Sequence, residues 1–362
     1  MSEAVVDKDK EMRVDLVFEG GGMKGLGLVG ALSVLEERGY EPQSVAGASA
    51  GAFLAALLGA GYTAAELREI FLNFDFANVQ DTSWEDRIPL IGTPLSLLKD
   101  QGIYEGKALL KYVRRLLQDR NVNNFGDLVH PVNAGEEHHR YKAQVIASDI
   151  TGRRLLVLPR DAPWLGVEEP DSFEVALAVR MSTSIPFYFE PVEFRNPITG
   201  QKHLIVDGGV LSNFPVWLFD SREEPRWPTF GLRLVEPDPE VSLDHRMDPA
   251  AYPMGGIGTT IDYVKSLIYT MLEAHDRLYI EMADFARTIC IPTLGVRTTD
   301  FDLPRERRLE LYEAGRVAAE QFLETWSFER YIEEFRRKKE YSRRQEAVKR
   351  MQRPAEDTRH NP

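Results

Sequence analysis

Apolar runs of strand length alternate with longer runs of helical period along most of the chain. Strands are predicted over 14–18, 44–46, 141–147, 154–158 and 204–206. Helices are predicted over 26–35, 52–58, 63–73, 109–117, 173–182, 261–285 and 305–322, with a charged helix from 330 that ends in a disordered tail after 353. Alternating strands and helices predict an α/β fold whose central sheet is largely parallel.

Two glycine-rich turns interrupt the first strand and helix pairs. The second turn places Ser49 between Gly47 and Gly51. The first turn covers residues 20–25 and contains Gly20, Gly21, Gly22 and Gly25. Because each turn follows a strand and precedes a helix, we expect both turns at the same edge of a parallel sheet. Flanking glycines permit the tight turn that exposes a nucleophilic serine hydroxyl.

The first turn has the chemistry of an oxyanion hole. A carbonyl under attack develops negative charge, and unpaired backbone N–H groups at a helix N-terminus can receive that charge. Gly21 and Gly22 are the predicted donors. Lys24 adds a positive charge nearby, although a lysine in the first helical turn is more often solvated.

A carboxylate that can act as the base follows the predicted strand 204–206. Asp207 precedes Gly208 and Gly209, and an Asp-Gly-Gly sequence alone is a common turn. Together with the two glycine turns it predicts a carboxylate that emerges from the same sheet edge and accepts the Ser49 proton. Asp149 also follows a strand, but a turn-forming role is commoner for such a residue.

Composition narrows the class of protein. An apolar content of 43% is ample for a core, and a net charge of −13 argues against nucleic acid as a general partner. One cysteine, Cys290, excludes an intramolecular disulfide and is predicted to be a buried core residue. The charged N-terminus lacks an apolar signal core, which predicts a cytoplasmic location.

Four competing interpretations are weaker. Residues 42–65 carry no charge over 24 residues, but glycines interrupt them, so a buried strand, turn and helix fit better than a membrane span. The first glycine turn fits a dinucleotide fingerprint, yet no acid ends the second strand. The sequence predicts no metal site, because it contains no clustered ligand motif. A histidine triad through His245 or His275 remains an alternative.

The sequence resembles the patatin-like phospholipases, and within them compact bacterial members. Four signatures match in order, namely residues 20–25, 47–51, 180–186 and 207–215. The resemblance implies a three-layer α/β/α fold and a lipid acyl hydrolase that uses a Ser-Asp dyad without histidine or any cofactor. It implies Ser49 as the nucleophile, Asp207 as the base, and the Gly21 and Gly22 amides as the oxyanion hole. Lys24 departs from the pattern, because many members carry arginine there.

We expect an N-terminal tail over 1–12, a catalytic domain over 13–328, and a charged helix and tail over 329–362. Within that domain, residues 74–105 form either a lid or an ordinary insertion. Residues 74–98 are rich in large apolar side chains, and residues 330–353 contain ten Lys or Arg against four Glu. These two segments are candidates for peripheral contact with the inner membrane surface.

Several reactions on lipid esters fit the same dyad. A phospholipase A activity is the leading prediction, and lysophospholipase, triacylglycerol lipase or acyltransferase activity on the same dyad is the alternative. A lipid-binding protein without catalysis is a further alternative.

Overall fold

The computed structural model describes residues 12–74, 106–131, 138–221, 223–236, 282–296, 298, 300 and 303–337. Eight strands lie within these residues. They are β1 (Arg13–Phe18), β2 (Glu41–Ala48), β3 (Ala143–Asp149), β4 (Arg154–Leu158), β5 (Val192–Arg195), β6 (Lys202–Asp207), β7 (Thr229–Val235) and β8 (Thr288–Pro292).

Eight α-helices are found in the same residues. They are α1 (Gly25–Glu37), α2 (Ala50–Gly59), α3 (Ala64–Leu72), α4 (Lys107–Gln118), α5 (Val175–Ser182), α6 (Met282–Ala286), α7 (Arg305–Thr325) and α8 (Phe328–Tyr331), the last continuing into a π-helical turn (Ile332–Arg337). Helix α3 begins with a capping box, in which Thr63 and Glu66 exchange side-chain and backbone hydrogen bonds.

All eight strands belong to one sheet with the order β5-β6-β3-β2-β1-β7-β8, and β4 pairs with β3. Strands β3, β2, β1, β7 and β8 are parallel to one another. Strands β4 and β6 run antiparallel to β3, and β5 runs antiparallel to β6. A central sheet of mostly parallel strands flanked by helices confirms the predicted α/β fold.

The register of β3 determines how two strand ends meet. Strand β2 pairs with the first part of β3 up to Ile146, and β6 pairs with the last part from Ala147. Because β4 occupies the other edge of β3 over both parts, β2 and β6 lie on the same edge. They run in opposite directions, so the C-terminal ends of β2 and β6 point at each other. Asp207 therefore approaches from the direction opposite to the one we expected.

Among the described residues, the core lies mainly on one face of the sheet. On β1, Val14, Leu16 and Phe18 belong to the large cluster formed with the helices, while Val17 belongs to a smaller cluster on the opposite face. This division follows the alternation of side chains along a strand. Among the described residues, the smaller cluster is covered by the segment 214–219.

Most predicted elements are confirmed to within a few residues, and both glycine turns lie at one edge of the parallel strands, as predicted. Strands β5, β7 and β8 were not predicted. Cys290 is only partly buried, contrary to the prediction, because β8 is an edge strand. The predictions for residues 75–105, 261–281 and 338–362 lie outside the described residues.

Candidate active site

Ser49 lies on the sharp turn between β2 and α2. Its φ of 53° and ψ of −123° place a non-glycine residue in a sparsely populated region, at a cost on the order of 1–3 kcal/mol. Its neighbours must be glycines. A Cβ atom on Gly47 would lie 2.3 Å from the carbonyl carbon of Gly51, and one on Gly51 would lie 2.3 Å from the Phe18 oxygen. This close packing holds the strained turn in place.

Asp207 ends β6 and is fully buried. Its Oδ1 atom accepts a hydrogen bond from the Gly209 amide at 2.8 Å, and its own amide donates to the Ser184 carbonyl at 2.9 Å. Gly208 allows the neighbouring strand β3 to approach closely, because a Cβ atom on Gly208 would lie 2.2 Å from the Ile146 oxygen. The Gly209 amide thus holds the carboxyl group, and the contacts with Ser184 and Ile146 hold the backbone that carries it.

The structure brings Ser49 and Asp207 together. Burial raises the pKa of Asp207 to about 7, while hydrogen bonds from the Ser49 hydroxyl and the Gly209 amide oppose that rise. The Oδ2 atom is buried and forms no hydrogen bond of standard length and angle with the described residues. A long or poorly aligned contact between nucleophile and base is common before substrate binds. A carboxyl with this pKa is a suitable general base near neutral pH.

The first glycine turn packs directly against Ser49. The Gly20 amide donates to the Asn213 carbonyl at 3.1 Å, and the Asn213 side-chain amide donates back to the Gly20 carbonyl at 3.1 Å. A Cβ atom on Gly20 would lie 3.0 Å from the Ser49 Cβ. Asn213 therefore fixes the glycine turn beside Ser49.

The next two glycines lie where a short 3₁₀ turn leads into α1. Within the described part of the chain, neither the Gly21 nor the Gly22 amide donates a hydrogen bond. Gly22 has a φ of 57°, and a Cβ atom there would lie 2.2 Å from the Thr298 carbonyl oxygen. Free amides at a helix N-terminus can bind a developing negative charge.

Lys24 is buried rather than solvated, which corrects the expectation for this residue. Its side chain folds over the glycine turn, so that Lys24 Cβ and Cε would each lie 3.6 Å from a Cβ atom on Gly21. Gly25 packs against the Phe71 ring, and a Cβ atom on Gly25 would lie 2.9 Å from a carbon of that ring. Tertiary packing therefore removes from water a side chain whose position in the helix suggested exposure.

Ser182, at the end of α5, is a residue that the sequence pattern did not assign. Its Oγ accepts a hydrogen bond from the Ser49 amide at 2.9 Å and donates to the Ile146 carbonyl at 2.5 Å. It therefore links the strained turn to β3. The signature 180–186 marked the segment, but nothing in that pattern indicated which side chain faces Ser49.

We expect Ser182→Ala to lower kcat for ester hydrolysis roughly ten- to hundredfold, because loss of the bridge shifts the Ser49 hydroxyl. Stability should fall by about 1–3 kcal/mol, since a buried amide and a buried carbonyl lose their partner. The matched control is Thr183→Ala, whose hydroxyl donates to Val179 within the helix instead. Equal kcat values for the two variants would contradict a positioning role for Ser182.

Asp149 and His203 form a separate buried pair. His203 Nδ1 lies 2.8 Å from Asp149 Oδ2, and Asp149 Oδ1 accepts hydrogen bonds from the amides of Thr151 and Gly152. Asp149 thus has the turn-forming role that the sequence favoured over a catalytic one. His203 bonds Asp149 rather than Asp207, while His245 and His275 lie outside the described residues.

Neither a membrane-spanning helix nor a metal-binding cluster occurs among the described residues. No helix in them is long and apolar enough to cross a membrane. No group of three or more histidine, cysteine, aspartate and glutamate side chains in that part of the chain is placed to hold a metal ion.

A mostly parallel sheet with a serine turn and a glycine turn at one edge defines an α/β protein with a hydrolase-like site. The sequence profile described as "Patatin-like phospholipase" matches residues 16–220. This chain belongs to the patatin-like phospholipase family.

Similar proteins occur in a bacterium and in a virus. The uncharacterized protein YqhO of Bacillus subtilis (strain 168) is 36% identical over 317 residues, which cover 88% of this chain and 100% of YqhO. The probable lipid hydrolase 463L of invertebrate iridescent virus 6 is 24% identical over 207 residues, or 56% of this chain and 61% of that protein.

A solved structure shares the fold. The crystal structure of VipD from Legionella pneumophila superimposes with a TM-score of 0.52 at 20% identity, over 87% of this chain and 67% of VipD. At this identity the likeness bears on the fold alone.

Proposed function

We propose that this protein is a serine esterase that cleaves acyl esters of lipids, with phospholipids as the leading substrate class. One observation carries the proposal: a serine on a strained turn lies beside a buried carboxyl whose pKa is about 7. Membership of the patatin-like phospholipase family supports a lipid hydrolase activity.

In the proposed reaction Asp207 accepts the Ser49 proton while Ser49 Oγ forms a bond to the acyl carbon. The oxyanion that forms receives hydrogen bonds from the Gly21 and Gly22 amides. The ester C–O bond then breaks, and Asp207 returns the proton to the departing alcohol. In the second half Asp207 takes a proton from water while the water oxygen forms a bond to the acyl carbon. The bond from that carbon to Ser49 Oγ then breaks, Asp207 returns the proton to Ser49 Oγ, and the fatty acid is released.

This scheme uses no cofactor or metal, so a chelator should leave turnover unchanged. The negative charge that develops on the substrate oxygen is stabilised by the free glycine amides, and the Lys24 side chain that folds over them adds a positive charge nearby. The same groups serve lysophospholipase, triacylglycerol lipase and acyltransferase reactions. Transfer to an alcohol instead of water would distinguish the last of these.

The direct test is to incubate the protein with a mixed lipid extract and identify the released species by mass spectrometry. We expect free fatty acids and the matching lysolipids, in amounts that scale with enzyme concentration. The Ser49→Ala protein serves as the blank. Release of fatty acid at the same rate by that blank would refute the proposal, and lipid binding without any release would favour a lipid-binding protein.

A further inference from the structure

Two hairpin turns project beyond the end of β2 that carries Ser49. Strand β3 continues from Ile146, the partner of Ala48, to Asp149 before it turns into β4. Three further residues of strand extend about 10 Å. The β5–β6 turn projects the same way, since Arg195 pairs with Lys202 beyond the level at which Ile205 pairs with Asp149. Both tips therefore lie on the side of the sheet toward which the Ser49 turn points.

Large apolar side chains are exposed on these tips. Ile150 at the first tip is 46% exposed and Ile198 at the second tip is 63% exposed. Trp164, 36% exposed, lies near the bases of both hairpins, because the Arg154 guanidinium stacks over its ring at 4.2 Å and Gly166, two residues later, packs against Asn196. Exposed apolar side chains grouped in this way often mark a surface that contacts a partner.

The tips are cationic in a chain whose net charge is −13. Residues 149–154 and 192–205 contain Arg153, Arg154, Arg195 and Lys202 against the acids Asp149 and Glu193. Asp149 is buried against His203, so it contributes little to the surface. Glu193 is paired with Lys202, and the exposed Glu168 and Glu169 follow Gly166, beside the hairpins rather than on their tips. The charge of the tips complements an anionic surface.

We propose that the two tips rest on an anionic lipid bilayer. The surface that makes this contact, here called the hairpin surface, is formed by Ile150, Arg153, Trp164, Arg195 and Ile198. Tryptophan is favoured at the boundary between headgroups and acyl chains, and each cation near an anionic bilayer raises binding about fivefold. The inference deepens the proposed function, on which its choice of a lipid surface rests. It concerns residues distinct from 74–98 and 330–353.

The test is partitioning of the full chain onto vesicles in the Ser49→Ala background, which separates binding from turnover. Vesicles of phosphatidylcholine with phosphatidylglycerol are compared with vesicles of phosphatidylcholine alone. One variant is Ile198→Glu. The second is Arg153→Asn with Arg195→Gln, where asparagine tolerates the φ of 54° at residue 153. The matched control is Val317→Glu, an aliphatic side chain 49% exposed on α7, which packs near the opposite edge of the sheet.

We expect the wild-type surface to bind the anionic vesicles more tightly and to lose binding as salt rises. Both hairpin variants should lower the partition coefficient on the order of tenfold or more, while Val317→Glu should leave it unchanged. All variants should keep the wild-type midpoint of thermal unfolding.

Three results would overturn the inference: no binding by the parent protein, equal loss in the Val317→Glu control, or unchanged binding in both hairpin variants. Hydrolysis of a soluble short-chain ester, measured in the Ser49-containing proteins, reports separately on the proposed function. An active enzyme that does not bind vesicles would refute only the proposal that the hairpin surface binds a bilayer. An inactive protein that binds vesicles through the tips would refute only the proposed hydrolase activity.

Discussion

Ser49→Ala should lower kcat for ester hydrolysis on the order of 10³-fold or more while leaving the protein folded. The change removes the oxygen that forms the acyl bond, and the free glycine amides and the binding surface supply the residual rate. Alanine also lacks the hydroxyl that contacts Asp207, but Gly47 and Gly51 still hold the turn. The measurement is steady-state hydrolysis of a soluble ester and of phospholipid, with circular dichroism as the test of folding.

Ser44→Ala is the matched control for this experiment. Ser44 lies on the same strand, is fully buried, and its hydroxyl has no hydrogen-bond partner among the described residues. We expect this variant to retain wild-type kcat. If Ser49→Ala also retained wild-type kcat, the nucleophile would have to be another group.

Asp207→Asn should lower the activity about as much as Ser49→Ala does, because an amide cannot accept the Ser49 proton. In the wild-type protein kcat/KM for a soluble ester should rise with pH and level off above about 7, since the base works only when it is ionised. The residual activity of the variant should lack this inflection. A pH profile of the two proteins over the same range measures the difference.

The same substitution should stabilise the protein at alkaline pH. Burial raises the pKa of Asp207 to about 7 in the folded state, whereas the unfolded chain keeps the ordinary aspartate pKa of 3.8, so the folded state holds the proton more tightly. Wild-type stability therefore falls as pH rises from about 4 to 7, by on the order of 4 kcal/mol at most. Asparagine carries no charge, so it avoids this cost, and its side-chain oxygen can still accept the hydrogen bond from the Gly209 amide.

Urea unfolding at acid and alkaline pH tests this second effect. We expect Asp207→Asn to have the higher free energy of unfolding at pH about 8, with a difference that shrinks toward pH about 4. Asp149→Asn is the control, because that residue is equally buried on the neighbouring strand and bonds His203 instead. If Asp207→Asn were less stable than the wild-type protein at alkaline pH, the buried Asp207 carboxylate would not be destabilising the fold.

The apolar pattern predicts the strand and helix that flank each glycine turn, since those elements are local and strongly periodic. The pattern of residues 204–206 also predicts β6, but a short apolar run carries no information about direction. The end-on meeting of β2 and β6 depends on the register of β3, which pairs with both. The sequence therefore identified Ser49 and Asp207 as candidates without the geometry that joins them.

Other features of the site depend on contacts between residues far apart in the chain. The hydrogen bond between Ser49 and Ser182 spans 133 positions, and that between Asn213 and Gly20 spans 193. Lys24 is buried because tertiary packing closes over the glycine turn, whereas its place in the first helical turn suggested exposure. Local propensity does not report such contacts.

The most direct measurement is covalent labelling with a fluorophosphonate, which reacts with the activated serine of a serine hydrolase, followed by mass spectrometry of the peptides. We predict one labelled residue, Ser49, with labelling that is lost in Asp207→Asn and unaffected by Ser44→Ala. A label on any other residue, or an active enzyme that remains unlabelled at Ser49, would contradict the Ser49 and Asp207 mechanism.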